Sequence, residues 1–280
     1  MIRHDSYHLH FMSNADLLDN IVIVLLEPLQ SGNVGMAVRA MMNTGLSRLR
    51  VVKPHNYNPA IVSAAAHRSE AFQERIEFYD TLPEALHDVN LVVAASNRRR
   101  RLGIEILPPD ELAPIILQHA EIGAPAIVFG REDWGLPNEV VQRSHYQLYI
   151  PTSSDYTSLN LAQAVLLTAY ELRRAMLSPR DDLPQIKIDP RDPPATEAEF
   201  TAAVDSILDA MGKAGFFKPG QEPAKRLKVE RLLRRTKPTA SEAGLLRAMG
   251  YVLNRELEHA RFARRWQDRK QQAASSPKTS

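Results

Sequence analysis

The 280-residue sequence contains no cysteine. That absence excludes a disulfide scaffold, thiolate-ligated zinc, an iron–sulfur cluster and a thiol nucleophile together. It makes a reducing cytoplasm the expected location. Long hydrophobic runs are also missing: none approaches the roughly 18 residues of a membrane-spanning helix, so no membrane partner is expected. The first 20 residues, with His4, Asp5, His8, His10, Asp16 and Asp19, lack the apolar core of a signal peptide. No G-x-G-x-x-G, no G-K-[ST] and no G-x-S-x-G occurs, which removes the dinucleotide fingerprint, the P-loop and the nucleophile elbow. His4, His8 and His10 have spacings that could hold a metal, but they sit in a polar terminus without a predicted frame. No metal site is expected.

What is present is ordinary in amount and uneven in distribution. Apolar residues make up 44% and charged residues 24%, as in a typical globular protein. The net charge is +2, yet residues 1–198 hold 18 Lys+Arg against 24 Asp+Glu, and residues 199–280 hold 17 against 9. A basic module on a mildly acidic body suits an anionic macromolecular partner, although a solvated basic helix surface would read the same way. Prolines 179, 184, 190, 193 and 194 are interleaved with charges and cannot continue a helix. Residues 179–196 therefore read as a linker.

Upstream of that linker, strand-like and helix-like segments alternate. Ile21–Leu26, Leu49–Val52, Leu91–Ala95, Ala126–Phe129 and Tyr146–Ile150 read as strands. Val34–Thr44, residues 60–72, Pro109–Ala120 and Leu159–Leu177 read as helices. Strands separated by helices predict an α/β domain over residues 21–178, built on a parallel sheet covered on both faces. Residues 1–20 form an extension before it. Downstream, the capping pairs Thr196/Glu199 and Thr239/Glu242 and the Lys225–Lys237 segment predict three short amphipathic helices. They make an all-helical bundle over residues 197–265, followed by a disordered tail over 266–280.

Three polar, glycine-bearing segments each follow a predicted strand. They are Gln30–Gly35 leading to Arg39, Phe129–Glu139 (FGREDWGLPNE), and Ile150–Asn160 (IPTSSDYTSLN). Ligands of open α/β sheets bind at the carboxyl ends of strands, where all three lie. Taken singly, each could be an ordinary strand-to-helix loop. Together, in this order, they resemble the SpoU/TrmH family of RNA 2′-O-methyltransferases within the SPOUT superfamily. Asn33 and Arg39 match the first motif, Gly130 to Leu136 the second (G-R-E-x-x-G-L), and Ile150, Pro151 and Ser158–Ala164 the third. The helical segment from Phe200 to about Glu258 is similar to the TrmJ branch of that family.

The resemblance implies a SPOUT sheet with a C-terminal trefoil knot, a homodimer that forms the active site, S-adenosylmethionine (SAM) as cofactor, and tRNA as substrate. For the TrmJ branch the target is the 2′-oxygen of cytidine or uridine 32 in the anticodon loop. Other tRNA or rRNA sites, or a silent RNA-binding protein of the same fold, are the alternatives. Carried over residue by residue, Ala95, Ser96, Asn97, Gly130, Ile150, Thr157, Ser158 and Leu159 would bind the cofactor. Arg39, Asn33, Glu132, Ser158 and Asn160 would form the catalytic set. Arg39 would hold the hydroxyl, because a guanidinium offers donors and no acceptor and is a poor base. Glu132 would either accept the proton or orient Arg39. Arg98, Arg99, Arg100 and Arg101 follow the cofactor strand and are expected to contact phosphate, as are Lys225, Arg226, Lys228, Arg231, Arg234 and Arg235. The third family motif more often reads N-P-E-Y-S-S where this chain has Ser153–Ser158. Trp134 and Pro137 stand where smaller or hydroxyl residues are usual.

Overall fold

The computed structural model describes residues 14–98, 103–178, 188–218 and 220–275. His4, His8, His10 and Arg99–Arg101 lie outside the described residues, as do most of the Pro-rich segment and the last five residues. The chain divides into two compact units at Pro190/Arg191.

The first unit runs α1 (Asn14–Asp19), β1 (Val22–Leu26), α2 (Ser31–Thr44), β2 (Arg48–Val52), α3 (Pro59–Ala65), α4 (Glu70–Gln73), β3 (Glu77–Tyr79), α5 (Leu82–Leu86) and β4 (Val89–Ala95). It continues through β5 (Glu105–Leu107), α6 (Pro109–Ala120), β6 (Ala124–Phe129), α7 (Asn138–Gln142), β7 (Tyr146–Leu148) and α8 (Leu161–Leu177). The seven strands form one parallel sheet in the order β3-β2-β1-β6-β4-β7-β5. Every residue of β1 is buried, which explains its unbroken apolar sequence: alternate residues feed two cores, one on each face.

Two short edge strands, β3 and β5, escaped the sequence reading. The expected helix over residues 60–72 is two helices, divided where Arg68 takes a positive φ of 60°. The extension before residue 21 also needs correcting, because Leu17 and Leu18 of α1 are buried in the main core.

A buried arginine stiffens the sheet. Arg50 of β2 is 2% exposed, donates two hydrogen bonds to Asp88 (2.6 and 2.8 Å) and one to Glu77 (3.0 Å). The guanidinium hydrogen bond holds the Asp88 carboxyl below its ordinary pKa.

The second unit comprises α9 (Glu197–Lys213), α10 (Glu222–Arg234) and α11 (Ala240–Ser275). Thr196 and Glu199 form a reciprocal capping box at the start of α9, as their spacing predicts. Gly250 lets α11 press against α9, since a Cβ there would lie 2.6 Å from the carbonyl carbon of Ser206. The helix α11 continues to Ser275, through the region expected to be a disordered tail. The sequence over 266–275 has no proline or glycine and holds three Gln, two Ala, one Arg and one Lys, so nothing stops the helix. The end of the expected linker also belongs to this unit: Ala195 packs on Ala203 and Ala243, and Asp192 accepts hydrogen bonds from Ser241.

Candidate active site

The chain segments that leave β4, β6 and β7 meet around a cavity of about 310 Å³ at the carboxyl edge of the sheet. Ala95, Ser96, Asn97, Gly130, Ile150, Thr157, Ser158 and Leu159 all line it. The structure thus brings together every residue expected to bind the cofactor. The walls combine apolar residues such as Leu148, Ile150 and Ala164 with polar ones such as Ser96, Asn97, Thr157 and Ser158, a mixture suited to a small organic ligand.

Local sequence explains the shape. A Cβ on Gly130 would stand 2.3 Å from the carbonyl carbon of Gly135, so only glycine allows the 130–136 loop to fold back on itself. Gly135 has φ +72° and donates its N–H to the Arg131 carbonyl at 2.8 Å, closing a tight turn. Arg131 pairs with Asp133 at 2.9 Å, and that hydrogen bond lowers the Asp133 carboxyl pKa. On the opposite wall, Asn97 Nδ2 donates to the Thr157 carbonyl at 2.6 Å and joins the loops that follow β4 and β7.

Sequence reading missed Gln147. It is 1% exposed on β7, and its Nε2 donates to the carbonyls of Ser96 (2.9 Å) and Arg98 (3.0 Å). Its partners lie about fifty residues earlier in the chain, and a glutamine inside a short strand signals nothing by itself.

The catalytic candidates are only partly assembled. Asn160 Nδ2 donates to Asn33 Oδ1 at 2.9 Å, and Asn33 Nδ2 donates to Glu132 Oε1 at 2.8 Å. Glu132 Oε2 accepts from the Leu29 N–H at 2.9 Å. One polar chain therefore links the three motif segments. Asn160 also caps α8 in a reciprocal capping box with Gln163. Glu132 and Ser158 line the cavity, whereas Asn33, Asn160 and Arg39 do not. Of the two roles expected for Glu132, orienting Arg39 within its own chain is not observed: its partners are Asn33 and the main chain of Leu29 and Gln30. Arg39 is exposed on α2. It lies six residues beyond Asn33, roughly 9 Å along the helix and about 120° around it.

The basic candidates separate as well. Arg98 lines the cavity. In the second unit Lys228 and Arg235 are exposed, and Arg231 is half-buried. Lys225 sits 5.1 Å above the Phe216 ring, and Arg226 is paired with Asp205 and Glu222. Arg234 is withdrawn from the phosphate-contact set. It is 6% exposed, forms a bidentate pair with Glu197, approaches Glu230 at 3.6 Å and stacks on Phe200.

Residues 20–170 match the model of the SpoU rRNA methylase family. The chain belongs to the SpoU methylase family. It is therefore a methyltransferase, and the matched residues include the loops after β4, β6 and β7 that build the cavity. It is 35% identical over 239 residues to the tRNA (cytidine/uridine-2′-O-)-methyltransferase TrmJ of Pectobacterium atrosepticum, covering 83% of this chain and 96% of that one. The TrmJ of Photorhabdus laumondii is 36% identical over 234 residues, covering 83% and 96%. Among solved structures, TrmJ from Z. mobilis ZM4 superposes with a TM-score of 0.72 at 29% identity, covering 83% of this chain and 98% of that chain. The parallel sheet is thus of the SPOUT type, and the SpoU cofactor is SAM. The residues present fit SAM, since the polar groups of Ser96, Asn97, Thr157 and Ser158 and the apolar side chains of Phe129, Leu148 and Ile150 line one cavity. Among the described residues no helix is long and apolar enough to cross a membrane.

Proposed function

We propose that this protein methylates the 2′-oxygen of cytidine or uridine 32 in the tRNA anticodon loop, in the cytoplasm, with SAM held in the cavity at the carboxyl ends of β4, β6 and β7. The observation that carries the reading is the Asn160–Asn33–Glu132 chain of hydrogen bonds, which ties the three SpoU motifs together beside a cavity lined by all eight expected cofactor residues. The likeness to TrmJ enzymes over both units supports tRNA as substrate. When bound, SAM supplies a methyl group on a positively charged sulfonium.

The chain's own groups position the acceptor. Arg39 holds the ribose hydroxyl and its neighbouring phosphate, and polarises the oxygen without taking its proton. Glu132 fixes Asn33 and the main chain after β1, so the rim of the site keeps its shape. Arg39 points away from the Asn33 cluster of its own helix, which supports a homodimer in which each chain lends Arg39 to its partner. Exposed Met36 and Met42 on α2, and Leu166, Leu167 and Tyr170 on the α8 helix packed beside it, offer the apolar surface for that pairing. The insertion of β6 between β1 and β4, and of β7 between β4 and β5, supports the trefoil knot. Lys225, Arg226, Lys228, Arg231 and Arg235, with Arg98 to Arg101, grip the tRNA backbone.

The test is transfer of labelled methyl from SAM to tRNA transcripts and, separately, to rRNA fragments. The proposed chemistry predicts label on tRNA and an alkali-resistant phosphodiester on its 3′ side. Label on rRNA alone would move the substrate, and an alkali-labile product would refute the 2′-oxygen.

A further inference from the structure

Trp134 occupies the tip of the 130–136 turn and is 67% exposed while lining the cavity. The turn that carries it is rigid for reasons already given: Gly130 and Gly135 allow the fold-back, and the Arg131–Asp133 pair braces it. The Arg98 guanidinium, from the opposite wall, lies 5.9 Å from the centre of the indole. The acids near this ring are engaged by neighbouring groups. Asp133 is neutralised by Arg131, and Glu132 is turned to Asn33 and Leu29. The indole and Arg98 remain at the mouth of the cavity.

We propose that Trp134, backed by Arg98, is a stacking platform for a nucleobase of the substrate RNA, seating the target nucleotide or its immediate neighbour over the cofactor cavity. A ribose hydroxyl in a loop reaches a buried methyl donor only if its nucleotide is splayed from the stack. Aromatic and guanidinium planes are the surfaces that receive splayed bases. A preformed, braced indole does so with little ordering cost. Stacking is tolerant of base identity, so this device suits acceptance of either pyrimidine. The inference rests on the RNA substrate proposed above.

The test uses full-length protein and an RNA anticodon stem-loop. Trp134→Ala should raise the KM for the stem-loop about 5- to 150-fold, the loss expected of one base–aromatic stack. The SAM dissociation constant should stay within about twofold, and Trp134→Phe should recover most of the loss. The sequence has two tryptophans, so in a Trp266→Phe background the emission of Trp134 alone is read. That emission should respond to stem-loop RNA and not to SAM. An unchanged KM overturns the proposal. So does an equal loss of SAM affinity, which would place the ring on the cofactor. The emission readout needs no turnover: if the wild type methylates no RNA but stem-loop still quenches Trp134, the proposed function fails and the stacking site stands.

Discussion

The two units each bury one arginine between two carboxylates, and they do it for different reasons. Among the described residues, Arg50 and Arg234 are the buried cations. Arg50 sits within a large two-sided core, bound to Asp88 and Glu77, whose side chains remain 37% and 43% exposed. Its loss would leave acids that water can reach. Arg234 sits in a unit with two small apolar clusters, and its partners Glu197 and Glu230 are only 15% and 13% exposed. The first unit is held by its sheet, with the ion pair as an addition. The second sets its ion pair beside two small apolar clusters. The same contrast separates chemistry from grip: the acidic, well-packed unit carries the cavity, and the basic, thinly packed one carries exposed cations.

The largest effect that would break this comparison is at Arg234. Arg234→Ala should cost the second unit about 3–5 kcal/mol by removing the guanidinium that two half-buried carboxylates share. Hydrogen exchange on the full chain should show it as lost protection in α9 and α10, with the first unit unchanged. Normal protection together with weaker tRNA binding would mean that Arg234 is a phosphate contact after all.

Arg39→Ala should lower methyl transfer about 10²- to 10³-fold with calorimetric SAM affinity unchanged, since only the acceptor loses its anchor. Under the proposed homodimer, mixing Arg39→Ala chains with Gly130→Val chains should restore part of the activity, because one site would have both an intact cavity and a partner's Arg39. No recovery would place Arg39 in its own chain's site. A fall in SAM affinity would refute the role given to it.

How much of this was legible in the sequence depends on where the partners lie. The apolar run Val22–Leu26 announces a strand buried on both faces, and the capping pair Thr196/Glu199 announces a helix start, because both signals are local. The three motif loops were likewise readable, and the second and third of them, with the loop after β4, line a cavity that contains every expected cofactor residue. Long-range partners were not readable. Arg234 sits in a basic run that looks like a solvent face, and Glu197 and Phe200, 37 and 34 residues away, help to turn it inward. Gln147 braces the cavity loop through residues about fifty positions earlier. The strands β3 and β5 are three residues each and partly exposed, too short for any period to show.

Smaller effects sharpen the contrast. Arg235→Ala and Lys228→Ala should each weaken tRNA binding by roughly 2- to 5-fold at moderate salt, reduce the salt dependence, and leave kcat and unit stability unchanged. If kcat falls with them, grip and chemistry are not separate.

The smallest expected effect is the acid response of the first unit. Arg50 holds the Asp88 carboxyl below its ordinary pKa, so the pair's contribution to stability is complete above about pH 4 and is lost as pH falls through the lower, folded value. Asp88→Asn should therefore be less stable than wild type at neutral pH, with the gap closing only below about pH 4. A gap that persists unchanged in acid would show that the pair acts through packing.

The central claim is a SpoU site in the first unit aimed at the anticodon loop by cations of the second. Nucleoside mass spectrometry with position mapping, on unmodified tRNA transcripts incubated with the full-length protein and SAM, tests it most directly. A single 2′-O-methyl at nucleotide 32, on cytidine or uridine, is the predicted result. A methyl at another tRNA position, or none on any tRNA while SAM binds, would contradict it.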